Sequence, residues 1–237
     1  MALPKQVNTV YNTTLPSTGE QFKFRAFLVK EQKSLLLAQQ SEDAEVMIDT
    51  IKTVIGSCCI GNIDVNKLAI FDMEYLFCQI RAKSAGENVE LWYYCPTCND
   101  EKAKVKKSID LTKIEVKRHP EHNNKIELFD SVGVVMKYPS INIMKKIEVI
   151  ANEDIDAVMD IIVDCIDFIY DQDEIYSSVD STKEELLQFI ENLTEQQFEK
   201  IQKFFETMPK LTHTEEFDCP VCNAHHTRTL EGMDSFF

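Results

Sequence analysis

The sequence predicts an α+β protein: a helical body carrying short antiparallel strands, with a split zinc ribbon of two Cys-x-x-Cys hairpins. Three observations carry this. Apolar residues recur at intervals of three and four in several segments and alternate in others, the two periods of helix and strand. The runs Cys95-Pro96-Thr97-Cys98 and Cys219-Pro220-Val221-Cys222 repeat one pattern at two hairpin turns. Glycine and proline are scarce, 6 and 7 in 237 residues, which excludes fibrous or low-complexity architecture.

Residues 1–19 read as irregular, punctuated by Pro4, Pro16 and Gly19. Over 21–27, Phe22, Phe24 and Ala26 alternate with Lys23 and Arg25, giving a strand. A helix follows over 29–39, with Leu35 and Leu36 expected to face inward. Ser41 is placed to cap a second helix, with Asp43 and Glu45 in its first turn and Val46, Ile48, Ile51, Val54 and Ile55 as its apolar face. Met73, Leu76, Phe77 and Ile80 define a third helix over 72–83, stopping at Gly86.

The aromatic run 89–94 enters the first cysteine pair, and Ala103, Val105 and Ile109 leave it, alternating with lysines. That is a hairpin with a knuckle at its tip. Strands follow at 126–129 and 132–138, then helices at 141–151 and 154–170, the latter the most apolar. Capping boxes, Thr182 with Glu185 and Thr194 with Gln197, open two more helices over 182–192 and 194–208. A second hairpin, 212–230, carries the second cysteine pair. This order divides the chain into 1–86, a ribbon of 87–112 with 209–237, and inserted strands and helices at 113–208, expected to form one compact body.

Two Cys-x-x-Cys pairs supply four thiolates, the ligand set of a closed tetrahedral structural zinc site. Cys95, Cys98, Cys219 and Cys222 are therefore the candidate ligands of a structural Zn2+. Loop-closure entropy rises slowly with length, so the long insertion between the pairs does not oppose this. The rival is thiol–disulfide exchange, but a redox pair opens a helix, whereas both pairs here sit in hairpin turns. His225 and His226 follow closely; either could replace a cysteine ligand, and the plainer reading leaves both exposed on the outgoing strand. Cys58, Cys59, Cys78 and Cys165 lie in apolar stretches and read as reduced core thiols.

No nucleophile elbow, phosphate-binding glycine loop or His-Glu-x-x-His is present. The acidic stretch from Asp164 to Glu174 lacks calcium-loop register, and Arg118-His119-Pro120-Glu121-His122 reads as a polar loop. A four-thiolate zinc has no open position at which to activate water, so no enzyme is expected. The net charge of −15 argues against nucleic acid, although Lys102, Lys104, Lys106, Lys107 and Lys113, with Lys117 and Arg118 beyond, form a basic stretch. The sequence has no run of about 18 apolar residues and its first residues are polar, so neither a membrane span nor a leader is expected, and the cytoplasm is the expected compartment.

Several short segments stand in a distinctive order: Leu15-Pro16-Ser17-Thr18-Gly19, Phe24-Arg25-Ala26-Phe27 and the run from Val29 to Leu36. Further on come Asp72-Met73-Glu74-Tyr75-Leu76-Phe77, Ile80-Arg81-Ala82-Lys83-Ser84-Ala85-Gly86, the cysteine pairs, and Leu230-Glu231-Gly232-Met233-Asp234-Ser235-Phe236-Phe237. Together they resemble the baseplate hub assembly family of T4-type contractile-tail phages. The resemblance implies a non-enzymatic assembly factor or subunit of the baseplate central hub. Its partners would be other hub proteins, met in the host cytoplasm during assembly, and the protein would either stay in the virion baseplate or leave after assembly. It implies no catalytic residues. A phage zinc-ribbon nucleic-acid-binding or transcription regulator is the alternative, resting on the lysine-rich strand; a thiol–disulfide oxidoreductase ranks below it. Phe236 and Phe237 are the candidate partner-binding residues: such a pair either folds onto the nearby hairpin or inserts into a partner groove.

Overall fold

The structure, a computed structural model, describes residues 7–61, 63–98, 100, 102–143 and 155–232. The chain divides into two compact units, one of residues 1–65, 71–117 and 210–237, the other of 66–70 and 118–209.

The first unit opens with β1 (Val10–Thr14) paired antiparallel to β2 (Gln21–Arg25), which pairs in turn with β3 (Cys59–Ile60). β1 falls in the stretch read as irregular. Its polar residues hide the alternation, but Tyr11 and Thr13 turn inward and the Tyr11 ring lies 5.6 Å from that of the buried Phe24. The connecting loop is pinned by the buried Asp72 carboxylate, which accepts the Ser17 N–H at 2.9 Å and the Ser17 hydroxyl. Burial pushes the Asp72 carboxyl up, and the two Ser17 hydrogen bonds oppose that.

Helices α1 (Val29–Ser41), α2 (Ala44–Cys58) and α3 (Ile70–Ala85) form the body of this unit. At the start of α1, Glu31 accepts the Leu28 N–H at 2.7 Å and pairs with Arg25 at 2.9 Å. α2 is capped by Asp43, whose carboxylate accepts from Glu45 N and Val46 N. Ser41 instead ends α1, its hydroxyl donating to the Ala38 carbonyl at 2.6 Å, and the left-handed Glu42 breaks the chain between the helices. Ile51, Val54 and Ile55 are buried as expected, whereas Leu36 is 53% exposed.

β4 (Asn88–Tyr94) and β5 (Lys104–Asp110) form the first hairpin, Tyr94 opposite Lys104. β11 (Lys210–Asp218) and β12 (His225–Glu231) form the second, and β6 (Glu115–Lys117) adds a third strand beside β11. Val89, Ile109, Leu111, Ile114 and Leu211 pack against Cys78 and Ala82 of α3, so the strand and helix residues share one core.

The second unit is an antiparallel sheet in the order β10-β9-β8-β7, built from β7 (Lys125–Phe129), β8 (Val132–Met136), β9 (Ile166–Tyr170) and β10 (Ile175–Ser177). α4 (Ile155–Asp164), α5 (Lys183–Glu191) and α6 (Glu195–Thr207) complete it. Both capping boxes form as expected. The apolar helix expected over 154–170 is shorter: it ends at Asp164, and Ile166–Tyr170 is strand β9, paired with β8 and β10. Its β-branched and aromatic residues suit a strand, and the neighbours supply the backbone partners. Val134, Met136, Ile162, Cys165, Ile166, Ile201 and Phe204 fill the core. Gly133 is required, because a β-carbon there would collide with the Tyr170 ring and the Ile126 carbonyl. Most of the helix expected over 141–151 lies outside the described residues. Among the described residues no helix is long and apolar enough to cross a membrane.

Candidate metal centre

Each cysteine pair closes a hairpin turn whose backbone dictates where the sulfurs point. In the second hairpin, Asn223 donates its N–H to the Cys219 carbonyl at 3.0 Å and Cys219 donates to the Ala224 carbonyl at 2.9 Å. This places Asn223 at φ 57°, a left-handed conformation that asparagine tolerates better than most residues. The same turn aims the Val221 and Cys222 N–H groups at Cys219 Sγ, both at 3.4 Å. In the first hairpin, Cys95 donates to the Ala103 carbonyl at 3.0 Å and Ala103 to the Asp100 carbonyl at 2.8 Å.

The two turns meet. Sγ of Cys95, Cys98, Cys219 and Cys222 all lie within 4.8 Å of one another. Cys95 and Cys222 sulfurs are 3.7 Å apart, as are those of Cys98 and Cys219. Bonds of about 2.3 Å to one tetrahedral ion require sulfurs about 3.8 Å apart, so the donors fit a single ion between them. Cys95 and Cys219 are buried with Ala103, Cys98 is half-buried and Cys222 is exposed.

The four thiols differ in how readily they ionise. Desolvation raises the Cys95 thiol, but the Cys98 and Thr97 backbone N–H groups and His226 overcome it and bring it down to about 5. The Cys222 and Val221 N–H groups lower Cys219 against desolvation. At Cys98 the Asp100 backbone N–H lowers the thiol, yet desolvation and the three neighbouring sulfurs push it up to about 12. Cys222 is also raised: its Ala224 backbone contact is outweighed by Cys219, desolvation and Cys95. Cys95 and Cys219 are thus the readier thiols to ionise, while desolvation and hydrogen bonds to neighbouring sulfurs hold the other two protonated. A divalent cation bound here would favour the thiolate form of all four.

Around the sulfurs the hairpins are tied by side chains. Tyr93 and Phe217 stack with centroids 5.3 Å apart, and Lys107 pairs with Glu215 at 3.0 Å. His226 lies against Phe217, centroids 5.2 Å apart, and its Nε2 is 3.1 Å from Cys95 Sγ. When Cys95 is ionised it can only accept, and His226 Nε2 is then the donor. His225 points elsewhere, to Asp218 Oδ1 at 2.8 Å. The two histidines thus part: His225 is the exposed strand residue expected, and His226 belongs to the sulfur cluster. A signal for this lay in the hairpin register. Phe217 is two residues before Cys219 and so shares its face, and His226 sits directly opposite Phe217.

Of the other thiols, Cys58, Cys78 and Cys165 are fully buried and Cys59 half-buried. Burial pushes Cys58 up to about 11 and Cys59 and Cys78 to about 12, so these are inert core thiols. The lysine stretch is largely spent on local contacts. Lys106 pairs with Glu90 and, like Lys104, lies over the half-exposed Trp92 ring; Lys113 pairs with Asp110. His122, read as part of a polar loop, is partly buried against the Tyr138 and Phe204 rings and hydrogen-bonds both Thr207 and Tyr138. Phe236 and Phe237 lie outside the described residues.

An α+β chain whose hairpins converge on four closely spaced thiols, two of them buried, has the makings of a scaffold. Its family agrees. Residues 8–237 match the model of the T4 bacteriophage base plate protein family, and the chain belongs to that family. No curated protein and no solved structure matches it. Membership gives the chain a structural or assembly role in a phage tail, in contact with other baseplate proteins.

Proposed function

We propose that this chain is a non-enzymatic assembly factor or subunit of the baseplate central hub, stapled by one structural zinc on Cys95, Cys98, Cys219 and Cys222. The convergence of the four sulfurs is the observation that supports the metal: all lie within 4.8 Å of one another, and two pairs, at 3.7 Å, match the edge of a thiolate tetrahedron. Zinc supplies cross-linking there; with four protein thiolates no position remains for water or substrate. The hub assignment rests on the family together with the segment resemblance. We read the host cytoplasm as its site of action during assembly and the tail baseplate as its destination.

Metal analysis of the purified chain tests the staple: one zinc per chain supports it, and a zinc-free protein with full structure refutes it. Co-purification from infected cells tests the hub reading; a chain that emerges with other baseplate components but never with hub proteins overturns it. A second reading has one observation in its favour. Trp92 and Tyr94 are 52% and 61% exposed on a strand with Lys104 and Lys106 alongside, an arrangement that single-stranded nucleic acid can stack upon. A low-salt mobility-shift assay with single-stranded DNA and RNA decides it, and no shift removes it.

A further inference from the structure

The sulfur cluster also holds a chemistry that needs no metal. Two sulfur–sulfur contacts of 3.7 Å run between the knuckles, Cys95 to Cys222 and Cys98 to Cys219. A disulfide bond is about 2.0 Å long, so each sulfur of such a pair needs to move less than about 1 Å to close one. The framework around them is already set. Tyr93 stacks on Phe217 and Lys107 pairs with Glu215, so the two hairpins face each other through side chains other than the cysteines.

Access separates the four sulfurs. Cys95 is 3% and Cys219 1% exposed, Cys98 is half-buried, and Cys222 is exposed. A small oxidant in solution therefore meets the cluster at Cys222, and Cys95 is the sulfur that stands behind it.

We propose that Cys222 and Cys95 form a peroxide-oxidisable pair that closes into a disulfide between the two hairpins. The Cys222 sulfur attacks one oxygen of hydrogen peroxide; the O–O bond breaks, the thiol becomes a sulfenic acid and the other oxygen leaves as water. Cys95 Sγ then attacks Cys222 Sγ, the S–O bond breaks, and the hydroxyl leaves with the Cys95 proton as a second water. Two thiols have lost two hydrogens, and one peroxide has been reduced to two waters. The bridge joins positions 127 apart in the chain, the same junction that the proposed metal holds. Metal and bridge need the same sulfurs and exclude each other. Thiols stay reduced in a cytoplasm and disulfides persist outside it, so the two staples suit two surroundings. The proposal rests on the convergence of the sulfurs and stands whether or not zinc is the ion they hold.

The test oxidises the full chain, stripped with a chelator, with hydrogen peroxide in native buffer and in urea. Free thiols are then alkylated, and unreduced tryptic peptides are mapped by mass spectrometry. Trypsin cuts after Lys102 and Lys210 and leaves each knuckle on its own peptide. In native buffer the two knuckle peptides should be joined, and dithiothreitol should part them. In urea short loops close most readily, so bridges inside each knuckle should dominate. The Cys98→Ser/Cys219→Ser variant keeps the proposed pair and should still join the peptides. The Cys95→Ser/Cys222→Ser variant keeps the less accessible pair and should do so about ten-fold more slowly or worse, as oxidation follows exposure. Native bridges confined to single knuckles, a native map identical to that in urea, or sulfinic acid at Cys222 without any bridge overturns the proposal. So does a Cys98–Cys219 pair that closes as fast as Cys95–Cys222. A chain purified without zinc that forms the bridge would refute the zinc staple and leave this pair standing.

Discussion

Replacing Cys219 by serine removes the most enclosed sulfur of the second knuckle, and its consequence can be sized. Structural zinc sites with four ligands bind with about 10–16 kcal/mol of apparent free energy at neutral pH. Shared evenly, that is about 2.5–4 kcal/mol per ligand, or roughly a hundred- to a thousand-fold in affinity. Cys219 should sit at the upper end, because it is buried and its thiolate is held by the Val221 and Cys222 N–H groups. Cys222 is exposed, so in Cys222→Ser a water can reach the vacated position and the loss should fall at the lower end. Competition against a chromophoric chelator reads all four cysteine variants on one scale, with metal content measured alongside. The order expected is Cys219→Ser and Cys95→Ser weakest, Cys222→Ser least affected. Four variants that bind zinc as tightly as the native chain would refute the reasoning outright, and a loss greatest at Cys222 would refute the account of burial.

Other outcomes follow from neighbouring features. His226→Phe keeps a ring against Phe217 but removes the N–H to Cys95, and should weaken zinc binding about 10–100-fold in the same competition assay, the usual cost of losing a partner that orients a metal ligand. Phe204→Ala should destabilise the second unit by about 3–5 kcal/mol in urea melts, since the ring is 2% exposed and packs on His122, Tyr138 and Phe205; a loss under about 1 kcal/mol would contradict the packing described. His122 makes the second unit acid-sensitive. Desolvation, then Arg118 and His119, depress its folded pKa below the ordinary 6.5, so the unfolded chain binds the proton first. Stability is then full above about pH 6.5 and declines below it, down to the depressed folded value, with a slope no steeper than one proton, about 1.4 kcal/mol per pH unit. In a His122→Gln variant the melts should lose that slope; an unchanged slope would assign it to other groups.

The sequence is most legible where one residue type has one use. Thr182 and Thr194 announce α5 and α6 because a capping box satisfies two orphan donors at a defined spacing. The cysteine pairs announce their own convergence because little besides a shared ion explains two matched knuckles. Legibility fails where two periods coexist. From Ile155 to Ile169 the apolar residues keep helical spacing, and only pairing with β8 and β10 makes Ile166–Tyr170 a strand. β1 fails for the opposite reason, being too polar to show its alternation. Ser41 and Asp43 both can cap, and local sequence does not say which; the left-handed turn at Glu42 decides. Leu36 fits an apolar stripe yet stays exposed, since periodicity names a face without naming what covers it. His226 needed the register of a hairpin, which depends on where the turn closes.

The separation of the two knuckles also sets a schedule. Cys98 and Cys219 stand 121 positions apart, so the ribosome completes the first knuckle long before the second exists. At about 5–20 residues per second that interval lasts roughly 6–24 s. Throughout it, Cys95 and Cys98 stand as an incomplete pair, open to any soft metal or oxidant the host offers, while residues 118–209 are synthesised and begin to fold. The four-sulfur cluster therefore cannot close until Cys219 and Cys222 have emerged. Under the proposed staple, the metal that counts is the metal present after that moment, rather than when Cys95 first appears.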